Sequence, residues 1–124
     1  MNWKKRRLFS KKYLRKQPFD IIEENVDGRF HLITDIGGYR ISTVELMFPI
    51  YDIKRYNKYE TMIFMDYTGQ DIFCTRWDTK GKAITNHKVA SRMIYDLLKN
   101  NIFEKGERNE EFRWSFKEVW KRSS

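Results

Sequence analysis

Alternating apolar and polar side chains predict an antiparallel hairpin between residues 29 and 46. One face of its first strand carries Phe30, Leu32, Thr34 and Ile36, and the other carries Arg29, His31 and Asp35. Such two-residue periodicity is typical of a strand with one buried face. Gly37-Gly38 can adopt the positive φ of a tight turn, after which residues 39–46 return antiparallel. Ahead of this hairpin, residues 19–25 predict a short first strand or a lead-in, with a turn at Asp27-Gly28.

The alternation resumes in a second hairpin that extends from Tyr59 to Trp77. Residues 59–66 form its first strand, Thr68-Gly69-Gln70 its turn, and residues 71–77 its second strand. Both strands present apolar side chains on both faces. Helices packed on one side of a four-stranded sheet would account for most of that burial.

Between Met47 and Lys58 the alternation stops, so this stretch is predicted to be a loop without regular structure. It brings together the aromatic residues Phe48, Tyr51 and Tyr56 and the cations Lys54, Arg55 and Lys58. Such a mixture suits nucleic acid, because bases stack on aromatic rings while phosphates pair with cations. The alternative is structural, with Pro49, Ile50 and Tyr51 sealing an edge of the sheet.

A helical period takes over after Trp77. Asp78-Thr79 is predicted to cap a helix that ends at Asn100-Asn101. The apolar face of this helix carries Ala83, His87, Ala90, Ile94, Leu97 and Leu98. A second helix, from about Asn109 to Arg122, has a stripe formed by Phe112, Phe116, Val119 and Trp120. Trp114 points away from that stripe and is either a contact with a second element or an anchor for a partner.

The pattern as a whole predicts an α+β fold. We expect an antiparallel sheet of about four strands, covered by the long helix and the C-terminal helix and preceded by a basic arm. A chain of 124 residues fits one domain and is long enough for a core without disulfide or metal staples. The predicted division is a basic arm or short helix over residues 1–17 and a single α+β domain over residues 18–124. Pro18 marks the boundary, because a proline disfavours helix at the residue before it.

The net charge of +8 is concentrated in the first 16 residues. This segment has no acid, and its cations are Lys4, Lys5, Arg6, Arg7, Lys11, Lys12, Arg15 and Lys16. The rest of the chain carries 17 basic and 17 acidic side chains, so the arm accounts for the whole excess. Such a block is typical of a solvated arm that becomes ordered on an anionic partner, and a solubility tail is the alternative. Its apolar residues form no single helical stripe, which favours nucleic acid over a membrane surface.

The cysteine content and the lengths of the apolar stretches indicate the cellular compartment. Cys74 is the only cysteine and has no partner in the chain, which indicates a reducing environment. No stretch approaches the roughly 20 apolar residues of a membrane-spanning helix. The basic N-terminus is not followed by the apolar segment of a secretory signal. We therefore expect a cytoplasmic protein without a membrane partner.

Glu60 and His87 are the candidates for general acid–base catalysis. A carboxylate on a strand can lie against a histidine on the helix that covers it. The preferred alternative is a core histidine that Glu60 braces, since no catalytic or nucleotide-binding motif accompanies the pair. His31, Cys74 and His87 lack the paired spacing of a zinc site. We predict no catalytic residue, no metal site and no cofactor.

The central block contains three distinctive motifs. They are Ile41-Ser42-Thr43-Val44, Tyr59-Glu60-Thr61-Met62-Ile63-Phe64, and Arg76-Trp77-Asp78-Thr79 followed by Ala83 and Asn86-His87. Together they resemble a group of small tailed-bacteriophage and prophage proteins of unassigned function. That group has a Ser-Thr-Val strand, a Glu-Thr-Met-Val-Phe strand and an Arg-Tyr-x-Thr helix start, with Ala and Gly-His further on. The resemblance covers residues 39–92, departs at Trp77 and Asn86, and implies a phage origin without implying an activity.

These observations favour a non-enzymatic phage accessory protein that binds nucleic acid or a nucleoprotein complex in the host bacterial cytoplasm. The contacts would come from the arm and from Lys54, Arg55 and Lys58. The alternative is an inhibitor of a host or defence protein, anti-CRISPR-like or otherwise, with Tyr51, Tyr56 and Trp114 as anchors. In a related form of this inhibitor hypothesis, the protein sequesters a small anionic nucleotide in an oligomer interface. Homo-oligomerisation and a place in the virion both stay open at this point.

Overall fold

The computed structural model describes residues 6–7, 18–51, 56–65, 71–100 and 108–123, and it shows an α+β fold. Its sheet has six antiparallel strands, in the order in which they occur along the chain. They are β1 (Arg6–Arg7), β2 (Ile22–Val26), β3 (Arg29–Ile36), β4 (Tyr39–Tyr51), β5 (Tyr56–Met65) and β6 (Asp71–Trp77). Two helices follow, α1 (Lys80–Asn100) and α2 (Arg108–Ser123). The predicted sheet with a long helix and a C-terminal helix is confirmed.

The strand number differs from the prediction of about four. Residues 19–25, predicted to be a short first strand or a lead-in, contain most of β2, so the strand alternative is the one observed. The polar run Glu23-Glu24-Asn25 gives β2 little alternation of its own, and it pairs with β3. β1 has two residues, which is too short for any periodicity. Both additions extend the sheet on the side of β3, beyond the two predicted hairpins.

Both predicted hairpin turns of the N-terminal half are present. Gly37 and Gly38 have φ of +55° and +85°, and Asp27 and Gly28 also have positive φ. The side chains predicted to face inward from β3 are buried or half-buried, whereas those predicted to face outward are half-buried or exposed. The turn predicted at Thr68-Gly69-Gln70 lies outside the described residues.

Thr79 caps α1 as predicted. Its Oγ1 accepts a hydrogen bond from the backbone N–H of Lys82 at 3.2 Å, and its carbonyl accepts one from the N–H of Ala83 at 3.1 Å. Lys82 also forms an ion pair with Asp78, with 3.0 Å between Nζ and Oδ1. The cap therefore fixes the point at which α1 begins.

Both helices pack on one face of the sheet, which we call the covered face. The first part of the core surrounds the start of α1 and contains Phe19, Ile21, Phe30, Leu32, Tyr59 and Ala83. The second lies between the sheet, the rest of α1 and α2, and contains Tyr39, Ile41, Ile63, Met65, Ile72, Ala90, Ile94, Phe112 and Phe116. The Phe112 ring stacks on Tyr39 with 4.3 Å between centroids. No described helix packs on the opposite face, the open face. Neither described helix is long and apolar enough to cross a membrane.

Candidate functional site

The basic arm joins the sheet at one point within the part of the chain that the structure describes. The backbones of Arg6 and Arg7 form β1, opposite Glu23 and Ile22 of β2. The segment predicted as an arm or short helix is therefore extended at this point and lies on the sheet edge. The other six predicted arm cations, Lys4, Lys5, Lys11, Lys12, Arg15 and Lys16, lie outside the described residues.

The stretch from Met47 to Lys58, predicted to be an irregular loop, is mostly strand. Glu45 pairs with Tyr59 and Ile50 pairs with Asn57, so four residues of β4 stand opposite the single residue Lys58. This arrangement is a large β-bulge formed by residues 46–49. Because a bulge breaks the two-residue alternation, the sequence pattern resembles that of a loop. Pro49 is accommodated there, since a bulged residue need not donate to the ladder.

The bulge displays apolar side chains to solvent. Met47 is 63% exposed and Phe48 is 77% exposed, and these positions lie beside the last residues of β4. A groove of about 330 Å³ adjoins the bulge on the open face and is lined in part by Val26, Val44 and Leu46. Met47 also lines this groove, and exposed apolar side chains beside a groove are typical of an interaction surface.

Tyr51 and Tyr56 form an aromatic pair at the end of the β4–β5 hairpin. They are directly opposite each other in the ladder, and their ring centroids are 5.0 Å apart at an interplanar angle of 59°. Tyr51 is 72% exposed and Tyr56 is 43% exposed. Residues 52–55, which connect the two strands and include Lys54 and Arg55, lie outside the described residues. The chain itself nevertheless places both cations within four residues of each tyrosine.

Lys58 is already engaged by a carboxylate. Its Nζ lies 3.3 Å from Glu45 Oε2, and Glu45 Oε1 accepts a hydrogen bond from the backbone N–H of Phe30 at 3.2 Å. Burial works to raise the pKa of Glu45, but the Phe30 and Lys58 contacts outweigh it and lower that pKa. The hydrogen bond to Glu45 raises the pKa of Lys58. Lys58 is therefore held in its charged form, and its charge is already paired with Glu45.

Trp114 does not belong to the same site as the two tyrosines. It is 65% exposed on α2, two residues after Phe112, which stacks on Tyr39. Tyr39 pairs with Met65 at one end of β5, whereas Tyr56 is at the other end. At about 3.3 Å per residue, the two ends of this ten-residue strand are about 30 Å apart. The predicted set of partner anchors thus divides into two surfaces.

Glu60 and His87 do not meet. Glu60 lies on the open face, where its Oε2 accepts a hydrogen bond from Arg76 Nε at 3.0 Å. His87 is fully buried on the covered face. The sheet separates them because residues 60 and 61 of β5 point to opposite faces. The predicted bracing of His87 by Glu60 is wrong. The two side chains also lack the proximity that an acid–base pair would need.

His87 hydrogen-bonds to threonines on two neighbouring strands, and a third threonine extends the network to the next strand. Thr34 Oγ1 is 2.9 Å from His87 Nε2, and Thr43 Oγ1 is 2.7 Å from His87 Nδ1. Thr43 Oγ1 is also 2.7 Å from Thr61 Oγ1, which accepts a hydrogen bond from Trp77 Nε1 at 3.0 Å. We call this set the threonine network. The available signal in the sequence was the presence of hydroxyl residues at inward positions of otherwise apolar strands.

The network satisfies both nitrogens of the His87 ring. Trp77 can only donate, so its indole N–H donates to Thr61 Oγ1, whereas the hydroxyls of Thr34, Thr43 and Thr61 can each donate and accept. Each nitrogen of the neutral ring therefore has a hydroxyl partner in either tautomer. Burial, with a smaller contribution from the charge of His31, lowers the pKa of His87 to about 3. His87 is therefore neutral at physiological pH and serves as a core hydrogen-bonding residue.

His31, Cys74 and His87 are not brought together either. His31 and Cys74 are on the open face, on β3 and β6, and His87 is on the covered face. Three strand spacings separate the first two, about 15 Å. Burial raises the pKa of the Cys74 thiol, so it stays protonated at neutral pH. Among the described residues, no group of three or more His, Cys, Asp or Glu side chains is placed to hold a metal ion.

The surfaces described above must be interpreted from their own geometry. No family model matches the chain, and neither a curated protein nor a solved structure does so.

Proposed function

We propose that this chain is a non-enzymatic, phage-encoded accessory protein that binds nucleic acid, free or within a nucleoprotein complex, in the host bacterial cytoplasm. One observation carries the proposal, namely the exposed Tyr51–Tyr56 pair at the end of a hairpin whose connection contains Lys54 and Arg55. The phage origin rests on the resemblance of residues 39–92 and is part of the same proposal.

The aromatic pair supplies stacking that tolerates any base. Each exposed ring offers a π-face, and stacking a base on an aromatic side chain contributes about 1–3 kcal/mol. Cations within a few residues of the rings pair with the phosphates that follow the stacked base. This combination suits a single strand, whose bases are free to stack, better than a duplex.

The arm supplies most of the electrostatic attraction. It holds the whole excess of positive charge, and its residues Arg6 and Arg7 form the edge strand beside β2. A nucleic acid would be attracted by the charge of the arm and held at the hairpin by stacking. The two contributions can be separated by experiment because they depend differently on salt.

The test uses a fluorescent single-stranded oligonucleotide and three variants of the full chain. The first replaces the six arm cations outside β1 by Gln, which keeps the Arg6–Arg7 strand. For single strands, log affinity should fall with log salt at a slope of about −0.7 per phosphate contacted, so this variant should flatten the slope by up to about 4. An unchanged slope would remove the arm from the proposal.

The second variant, Tyr51→Leu with Tyr56→Leu, should weaken binding by roughly tenfold or more at every salt concentration and leave the slope unchanged. The matched control is Trp114→Leu, which removes an exposed aromatic residue about 30 Å away and should leave affinity unaltered. Equal losses in the tyrosine variant and the control would refute the stacking site.

A second candidate function is inhibition of a host or defence protein. The bulge favours it, because Met47 and Phe48 are the kind of exposed apolar side chains that protein interfaces bury. A pull-down from bacterial lysate, with and without nuclease, separates the two functions. Recovery of one protein regardless of nuclease, abolished by Phe48→Ser, would support inhibition. Loss of all partners after nuclease treatment would support nucleic-acid binding.

A further inference from the structure

An open groove lies between the outer edge of β6 and helix α2. Its volume is about 330 Å³, and it is lined by Asp71, Ile72, Phe73, Cys74, Arg113 and Lys117. β6 is the last strand in the sheet order and pairs only with β5 among the described strands. The groove lies at the opposite edge of the sheet from β1 and is separate from the hairpin that carries Tyr51 and Tyr56.

The strand edge offers backbone groups to a ligand. An edge strand presents N–H and C=O groups at the spacing of a β-ladder, ready to pair with another extended chain. In this structure the Arg113 guanidinium donates a hydrogen bond from Nη2 to the backbone carbonyl of Asp71 at 2.9 Å. A side chain thus occupies a position that the N–H of an added strand would take. An incoming strand would release Arg113 to pair with a carboxylate.

The charges beside the edge favour an acidic occupant. Arg113 and Lys117 are four residues apart and lie on the same side of α2, facing the groove. Asp71 contributes one carboxylate at the end of the groove, so the cations are in excess there. A second copy of this chain, paired through its own β6, would bring the same two cations against them. Self-association through this edge is therefore disfavoured.

We propose that this groove binds an extended acidic segment of a partner protein, added to the sheet as a further strand on β6. Backbone pairing with β6 supplies the affinity, and carboxylates on the segment pair with Arg113 and Lys117. A nucleic acid has phosphates but lacks the alternating N–H and C=O groups that the strand edge matches. The site is thus distinct from the nucleic-acid surface in location and in ligand.

The probe is a blocked, fluorescent octapeptide of alternating Glu and Val, which is long enough to span β6. Fluorescence anisotropy with the full chain should show saturable binding, and the matching Lys–Val peptide should not bind. Replacing Arg113 and Lys117 together by Gln should weaken binding about two- to thirtyfold, the range expected for two exposed ion pairs. The charge-matched control, Lys82→Gln with Arg122→Gln, should bind as the unmodified protein does. Arg122 is nine residues from Arg113 and half a turn round the helix.

Strand addition is tested on the peptide, so the result does not depend on how well a variant folds. A Glu–Val peptide methylated on every backbone nitrogen keeps every side-chain charge but has no N–H on either edge to donate to the ladder, and it should lose binding. Amides of β6 should also gain protection from hydrogen exchange with the unmethylated peptide only. Equal binding of the methylated peptide would overturn the proposal. Absence of saturable peptide binding would also overturn it, and an oligonucleotide affinity that falls in the Arg113→Gln/Lys117→Gln variant would then assign these two cations to nucleic acid.

Discussion

His87 illustrates how a titratable residue becomes part of a core. A helix places it over the sheet, and Thr34 and Thr43 satisfy both ring nitrogens at hydrogen-bonding distance. A buried imidazole with both nitrogens paired costs little, whereas a buried imidazolium has no carboxylate in this network to balance it. The residue is consequently held neutral, which makes stability depend on pH.

We predict that the protein becomes less stable as the pH falls below about 6.5. The unfolded chain takes up a proton on this histidine near its ordinary pKa of 6.5, but the folded chain does not until about pH 3. Protons therefore favour the unfolded state throughout that window. Between pH 7 and pH 5 the free energy of unfolding should fall by roughly 2 kcal/mol from this group. Urea unfolding at each pH, followed by Trp fluorescence, measures it.

The matched variants are His87→Gln and His31→Gln. The first should lower stability at pH 7 and abolish most of the pH dependence, because an amide hydrogen-bonds without titrating. The second should retain most of it, although burial also lowers the pKa of His31. A His87→Gln variant with an undiminished pH dependence would show that another group is responsible.

At the scale of elements, three glycines differ in backbone conformation or in the space around them. Gly37 has φ of +55°, and a Cβ there would meet Leu98 Cδ1 at 2.7 Å. Gly28 has φ of +79° with nothing within 4 Å of the added atom. Gly81 is in the first turn of α1 and also has open space around it. Only the first two positions require a glycine-like backbone.

We predict opposite signs for alanine at these positions. Gly81→Ala should raise the free energy of unfolding by up to about 1 kcal/mol, because alanine loses less backbone entropy in a helix. Gly28→Ala and Gly37→Ala should each lower it by about 1–2 kcal/mol, the cost of a left-handed conformation with a Cβ. Chemical denaturation gives all three values. The free energies of unfolding of the Gly37→Ala and Gly28→Ala variants should differ by the cost of moving the Leu98 side chain. A Gly81→Ala variant that is less stable than the unmodified protein would contradict the helical conformation of residue 81.

The bulge in β4 shows why this element escaped prediction. Two-residue periodicity indicates a strand only where each residue has one partner opposite it on the neighbouring strand. Residues 46–49 instead all stand opposite the single residue Lys58. Two hairpins and two helices were predictable because their apolar spacing is local and regular. The bulge, the β1 pairing and the groove beside β6 arise from how separate segments align.

At the scale of the molecule, the described residues that follow Pro18 contribute to the core. Phe19 and Ile21 are buried, and the Phe19 ring lies 6.0 Å from that of Tyr95 on α1. The core therefore extends to the residues that directly follow Pro18. β1, by contrast, is joined to the sheet by only two residue pairs.

We predict that a chain starting at Pro18 unfolds cooperatively, with a loss of stability of about 1 kcal/mol or less from β1. A chain starting at Ile22 should lose roughly 5 kcal/mol or more, because it lacks two large core side chains. That loss is comparable to the whole stability of many small domains. Thermal unfolding by circular dichroism compares the two truncations. Failure of the chain starting at Pro18 to fold would place the arm inside the domain.

The sequence by itself determined which segments form hairpins and helices, the Thr79 cap, the faces of β3 and α1, and the concentration of charge near the N-terminus. Each of these depends on neighbours a few residues away. Only the tertiary structure decided that Glu60 and His87 lie on opposite faces, that Thr34 and Thr43 hydrogen-bond both nitrogens of His87, and that the tyrosines and Trp114 are far apart. Those relations depend on strand register and helix placement, which join residues 18 to 53 positions apart and leave no periodic trace in the chain.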